Sequence, residues 1–173
     1  GARNLLVKAA RNELVANFDD DSHPAHPDYF RRVLEDAERF PDAAMISAAS
    51  QPSGWEVPNY QSIAIPSGCG CVFRKRWFTR TRGFVPLRVA YGMEEVDLGL
   101  QLHELGALIV HDPFLRVQHN REPAASIDAV TNAAALANTA LLAFLRYPFW
   151  LWPLGAGQVV SRIAYLLSLR WTA

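Results

Sequence analysis

An α/β layer structure with a separate helical tail is what this sequence predicts, and three observations carry the prediction. Short apolar runs alternate with segments of helical period through about residue 120. A Pro-, Ser- and Gly-rich stretch, "SQPSGWEVPNYQSIAIPSGCG" (50–70), interrupts them as one long loop. From residue 123 the composition turns Ala-rich and then aromatic, which divides the chain into a 1–122 unit and a 123–173 helical segment. At 173 residues one core is the default. Seventeen Lys plus Arg against seventeen Asp plus Glu leave no net charge. Nucleic acid is therefore not expected as a partner, and any charge logic is local.

The elements follow in order. The first ten residues suit a short helix, and "ELVANF" alternates as a strand that delivers Asp19 to its tip. In "HPDYFRRVLEDAERFPD", Asp28 is placed to cap a helix whose apolar face is Tyr29, Phe30, Val33, Leu34 and Ala37, with Pro41 as its stop. "AAMISAA" reads as a buried strand, residues 62–65 as a short edge strand, and "CVFRKRWF" as strand into helix. "MEEVDLGLQLHELG" reads as a helix ended by Gly106, and "ALIVHD" and "FLRVQH" as two short strands. Cys69 and Cys71 are too close in sequence for a likely staple and read as small, reduced residues near a strand. A zinc site would want two further ligands at matching spacing, and none is evident.

The tail contains two helix candidates, 129–154 and 157–171. The apolar run Leu141–Leu154 is interrupted by Arg146, Pro148 and Pro153 and falls short of the ~20 residues that a span needs. An interfacial helix pair is expected instead, with Trp150, Trp152 and Trp171 at headgroup depth; packing on the α/β core or on a second copy is the alternative.

Three features bear on chemistry. "FDDDSHP" closes the first strand with three acids, and a D-x-D spacing lets Asp19 and Asp21 share a divalent cation through hard oxygen ligands. An EF-hand is excluded, because Pro24 stands where the loop needs Gly. His23 and His26 read as solvated loop residues. A second acidic group, Glu94, Glu95 and Asp97, opens a helix, where favourable dipole interaction accounts for one acid more easily than for three. The third feature is His119, at the end of "FLRVQH".

Taken in order, "RN" at Arg3 and Asn4, "FDDDSHP", "GCGCVFRKRWF", "YGMEEVDLGLQLHELG" and "VHDPFLRVQH" resemble the family 2 glycosyltransferases over about residues 1 to 120. The resemblance implies a GT-A, Rossmann-like mixed sheet with flanking helices, lacking its first nucleotide-binding strands. It implies Mg²⁺ or Mn²⁺ at Asp19, Asp21 and His119, and a nucleotide-sugar donor at Arg3, Asn4, Asp19, Asp20, Gly68 and Gly70. Glu95 matches the catalytic base, where the family often has Asp, and Glu94 is its rival. Trp55 is expected either to stack on the acceptor, a glycan or lipid-linked hydroxyl, or to cover the core, and Asp97 is expected at the acceptor. The implied reaction is transfer with inversion at the cytoplasmic face of the membrane, by a peripheral protein that is free to form a homo-oligomer. The non-enzymatic alternative is a degenerate glycosyltransferase-like module that anchors a partner at the membrane.

Overall fold

The computed structural model describes residues 1–51, 58–85, 93–120 and 129–171. Helix α1 (Ala2–Ala9) precedes strands β1 (Leu14–Asn17) and β2 (Ser22–Pro24), helix α2 (Tyr29–Arg39) and strand β3 (Ala43–Gln51). Then come β4 (Gln61–Ser62), β5 (Cys71–Arg74), α3 (Lys75–Phe78), α4 (Glu94–Glu104) and β6 (Leu108–His119). The tail is α5 (Ala129–Arg146), a 3-10 turn (Phe149–Leu151) and α6 (Trp152–Trp171).

The sheet is mixed, in the order β1-β5-β3-β6-β2, with β4 paired to β6 off this path. β3 and β6 run parallel, while β5 is antiparallel to both β1 and β3. β1, β3 and β6 therefore point the same way, and their carboxyl ends share one edge of the sheet. Ligands of open α/β sheets gather outside such an edge.

The central strands β3 and β5 bury both faces. Met45 and Phe73 are partners on one face, where Val7, Leu98, Leu102 and Ile109 join them. Ile46 and Val72 are partners on the other, with Tyr29, Val33, Leu115 and Val117. Side chains alternate along a strand, so a run such as "AAMISAA" that feeds two cores is apolar throughout.

Three elements depart from expectation. β6 is one strand rather than two, because its register against β3 jumps from Ala48↔Asp112 to Ala49↔Arg116 and an irregularity there takes up Pro113. The edge strand at 62–65 is instead β4, at Gln61–Ser62. Asp28 occupies the N-cap of α2 without capping through its side chain, and its carboxylate pairs with Arg31 at 2.8 Å. The buried face of α2 is Tyr29, Val33 and Asp36, while Phe30 and Leu34 are exposed.

The tail is tied to the sheet unit by Arg146 of α5, whose Nε donates to Oδ1 of the buried Asp97 on α4 at 2.5 Å. α5 and α6 pack so closely that a Cβ on Gly155 would lie 2.3 Å from Ala143 Cβ.

Asp36 is only 1% exposed and belongs to a polar cluster beneath α2. Tyr60 donates its hydroxyl to Asp36 Oδ1 at 2.8 Å, and Arg32 forks onto both oxygens of Asp112. Asp36 Oδ2 is buried with no protein donor among the described residues. A proton on that oxygen relieves it: burial first, and then Asp112, push the Asp36 carboxyl up to about 7. Burial also raises Asp112, but the Arg32 fork, Asp36 and the Phe114 N–H together hold it below the ordinary range.

The folded chain thus keeps a proton on Asp36 between 3.8 and about 7, where the unfolded chain has lost it. The stability from this group is full below the lower value and is lost as pH rises through the upper one. We predict that the urea midpoint falls between about pH 4.5 and 8 and that Asp36→Asn, which keeps a donor at the same place, flattens this fall. Identical pH profiles for the two proteins would contradict the assignment.

Candidate functional site

The acidic turn sits where β1 reaches the carboxyl edge. Ser22 closes it: its Oγ accepts from Asp19 N at 2.8 Å and donates to Asp19 O at 2.9 Å. β2 then pairs with the end of β6, Ser22 opposite His119. This pairing sets Asp21 beside His119, with Oδ1 3.0 Å from Nε2. Asp20 faces solvent.

α1 supplies the compensating charge. Arg3 Nη2 donates to Asp19 Oδ1 at 2.7 Å, and Nη1 lies 3.5 Å from Oε1 of both Glu94 and Glu95. One guanidinium thus joins the two acidic groups that the sequence keeps far apart. Glu94 and Glu95 open α4, behind Met93 at φ 73°. That left-handed conformation is uncommon outside Gly and stores local strain where the chain turns the two acids toward Arg3.

The segment 68–70 forms the floor. Asn17 Nδ2 donates to Gly68 O at 2.6 Å, and Gly70 N donates to Asn17 O at 2.8 Å. A Cβ on Gly68 would lie 2.1 Å from Glu95 Oε1, so the absent side chain is what admits the carboxylate. Gly70 has φ +70°, and a Cβ there would lie 2.1 Å from Val117 Cγ2. Burial first, and then the charge of Glu94, raise the Glu95 carboxyl above its ordinary range, while Arg3 pulls the other way.

Arg3, Asp19, Glu94, Glu95 and Gly68 are brought into contact, with Asp21 and His119 adjoining. Asn4 lies to one side: its amide donates to Phe84 O and accepts from Phe84 N, both at 2.9 Å, so it fastens α1 to the 83–85 turn rather than facing a donor. Asp97, expected at the acceptor, is 1% exposed, and its oxygens accept from Gln101 at 2.8 Å and Arg146 at 2.5 Å. It works behind the site, as the tie between α4 and α5. Trp55 lies outside the described residues.

Sequence reading missed Cys69. Its sulfur, an Asp19 oxygen and a His119 ring nitrogen all lie within 4.8 Å of one another. Spacing could not reveal this trio, because three separate segments contribute to it. A carboxylate, an imidazole and a thiol are all divalent-cation ligands, so the donor set fits a metal ion.

A solved structure resembles this arrangement of helices and strands. The mannosyltransferase PcManGT from Pyrobaculum calidifontis, in complex with GDP-Man and Mn²⁺, superposes with a TM-score of 0.60 at 14% identity. The fold is glycosyltransferase-like. The likeness covers 98% of this chain but 53% of that one, so the chain spans about half the length of this glycosyltransferase. No protein-family profile and no curated protein sequence matches.

The site makes a prediction independent of activity. In a carboxyl-resolved NMR titration, Glu95 titrates above 4.5, Arg3→Gln moves it further up, and Glu94→Gln moves it down. An ordinary glutamate titration in all three proteins would contradict this geometry.

Proposed function

We propose that this chain is the metal- and acceptor-side part of an inverting glycosyltransferase of the GT-A, family 2 type. It would move a sugar from a nucleoside-diphosphate donor to a hydroxyl of a glycan or lipid-linked acceptor. Residues 1–122 would form its partial catalytic domain and 123–173 its helical membrane-facing segment. The observation that carries this reading is the convergence on Arg3 of Asp19, Glu94 and Glu95, beside the Asp21–His119 pair. The glycosyltransferase-like fold supports it.

Asp19, Asp21 and His119 would hold Mg²⁺ or Mn²⁺, which when bound neutralises charge on the leaving diphosphate as a Lewis acid. Glu95 takes the proton of the acceptor hydroxyl. Its raised carboxyl suits that task, since a base works best when its pKa approaches the working pH. Arg3 Nη1, 3.5 Å from Glu95 Oε1, opposes that upward shift by favouring the charged form. Asp20 faces out toward the donor, while the room left by Gly68 and Gly70 is taken by Glu95 and Val117. In the full-length protein, Asp21→Ala and Glu95→Gln should each lower metal-dependent donor turnover by about 100-fold or more. No metal-dependent turnover in the unsubstituted protein would sink the proposal.

The same reading places the protein peripherally at the cytoplasmic membrane face. Phe149, Trp150, Leu151, Trp152 and Leu154 are exposed at the α5–α6 turn, and residues 129–171 contain no acid. No helix among the described residues is long and apolar enough to cross a membrane. Such a surface suits the headgroup boundary, where aromatic rings are half immersed. With anionic liposomes, tryptophan emission should shift to the blue. Trp150→Ser should weaken binding roughly tenfold or more, since burying one large apolar side chain is worth ~1.5–3 kcal/mol. Unchanged emission, with a mass that grows with concentration, would assign the surface to a homo-oligomer instead.

A further inference from the structure

Cys69 stands at the candidate site without a role in the proposed chemistry. It is 4% exposed, His119 is 8% exposed, and their ligand atoms lie with that of Asp19 inside one 4.8 Å group. Each of the three is fixed from a different part of the fold. Ser22 locks the turn that carries Asp19, the β2–β6 pairing holds His119, and Ser67 Oγ donates to Cys69 O at 3.1 Å. Three side chains of different chemistry therefore converge because the sheet places them together, and no run of like charges is involved.

The chemistry of the set separates the candidate cations. Mg²⁺ takes oxygen ligands and dehydrates reluctantly, so a sulfur and a nitrogen in its shell are both a poor match. Zn²⁺ and similar borderline cations take sulfur, nitrogen and oxygen together, at ~2.0–2.3 Å. A tetrahedral shell with such bonds has ligand atoms roughly 3.3–3.8 Å apart, so the widest pair needs to close by about 1.5 Å at most. Side-chain rotation covers that distance. Asp21, 3.0 Å from His119 Nε2, stands beside this trio and is placed to complete a tetrahedral shell.

We infer that Cys69 is a metal ligand and that, with Asp19 and His119, it turns this site away from the Mg²⁺ of the proposed function toward a more thiophilic divalent cation of the Zn²⁺ class. Placing that cation beside a donor diphosphate rests on the proposed function; the ligand set does not. Binding takes Cys69 as the thiolate and releases its proton to solvent. Cys71, 1% exposed and packed in the opposite core cluster, is not a ligand.

Co²⁺ is the probe for the test, added to the full-length protein without any donor. A sulfur-to-cobalt charge-transfer band should appear in the near ultraviolet, vanish in Cys69→Ser and persist in Cys71→Ser. Zn²⁺ should abolish the band, and Mg²⁺ in about 100-fold excess should not. Cys69→Ser should also lower the Zn²⁺-over-Mg²⁺ preference at least tenfold. Cadmium NMR of the unsubstituted protein reads sulfur ligation directly, which covers the case of a variant that does not fold. A cation bound with no sulfur signature by either method overturns the inference, and metal-dependent donor turnover alongside it leaves the transferase reading standing. A sulfur signature without any donor turnover upholds Cys69 as a ligand and overturns the transferase reading.

Discussion

Much of the candidate site depends on one guanidinium. Arg3 lies within 3.5 Å of three carboxylates drawn from two distant segments. Asp19, Glu94 and Glu95 would otherwise face one another across a partly desolvated floor, where the charges of Glu94 and Asp19 push the Glu95 carboxyl up. The groups are about a quarter to a third exposed, so each pair contributes only ~1 kcal/mol to stability. Their weight lies in placement. Arg3 gathers the three carboxylates at the edge of the sheet while Glu95 retains a raised carboxyl.

That edge is itself a product of strand direction. β1, β3 and β6 run the same way, and their ends bring the acidic turn, the 68–70 floor and His119 to one place. β2 contributes three residues of pairing and has one effect: it folds Asp21 back onto His119. On the far side of α4, the Asp97–Arg146 pair carries the position of the helix into α5. Breaking such a pair from one side leaves a buried charge uncompensated, at ~3–5 kcal/mol. The site and the apolar tail are therefore joined through α4.

Periodicity revealed the elements that bury a regular face. The strands at 43–51 and 71–74 and helix α1 follow directly from their patterns, and the three acids do fall at a strand end. What the pattern hid was non-local. β2 contains His23 and Pro24 and is a strand only because β6 lies beside it. Pro113 reads as a break, yet the register irregularity between β3 and β6 carries one strand past it. Asp36 lies outside the apolar face that the pattern picks out and is nonetheless buried, where Tyr60 donates to it and its carboxyl is pushed up. Cys69 gave no metal signal, since its co-ligands lie in the β1–β2 turn and at the end of β6 rather than at fixed spacing. Asn4 and Asp97 show the converse: the family resemblance implied ligand contacts for both, and in the fold their side chains fasten the 83–85 turn and helices α4 and α5.

The central claim is that a divalent cation and a nucleoside diphosphate share the site built around Asp19, Asp21 and His119. Calorimetric titration of the full-length protein with a nucleoside diphosphate, with and without the cation, tests this most directly. The account predicts tight binding only in the presence of the cation and, by linkage, cation binding strengthened by the same factor when the diphosphate is present. Diphosphate binding of equal strength with and without the cation, or none under either condition, would contradict it.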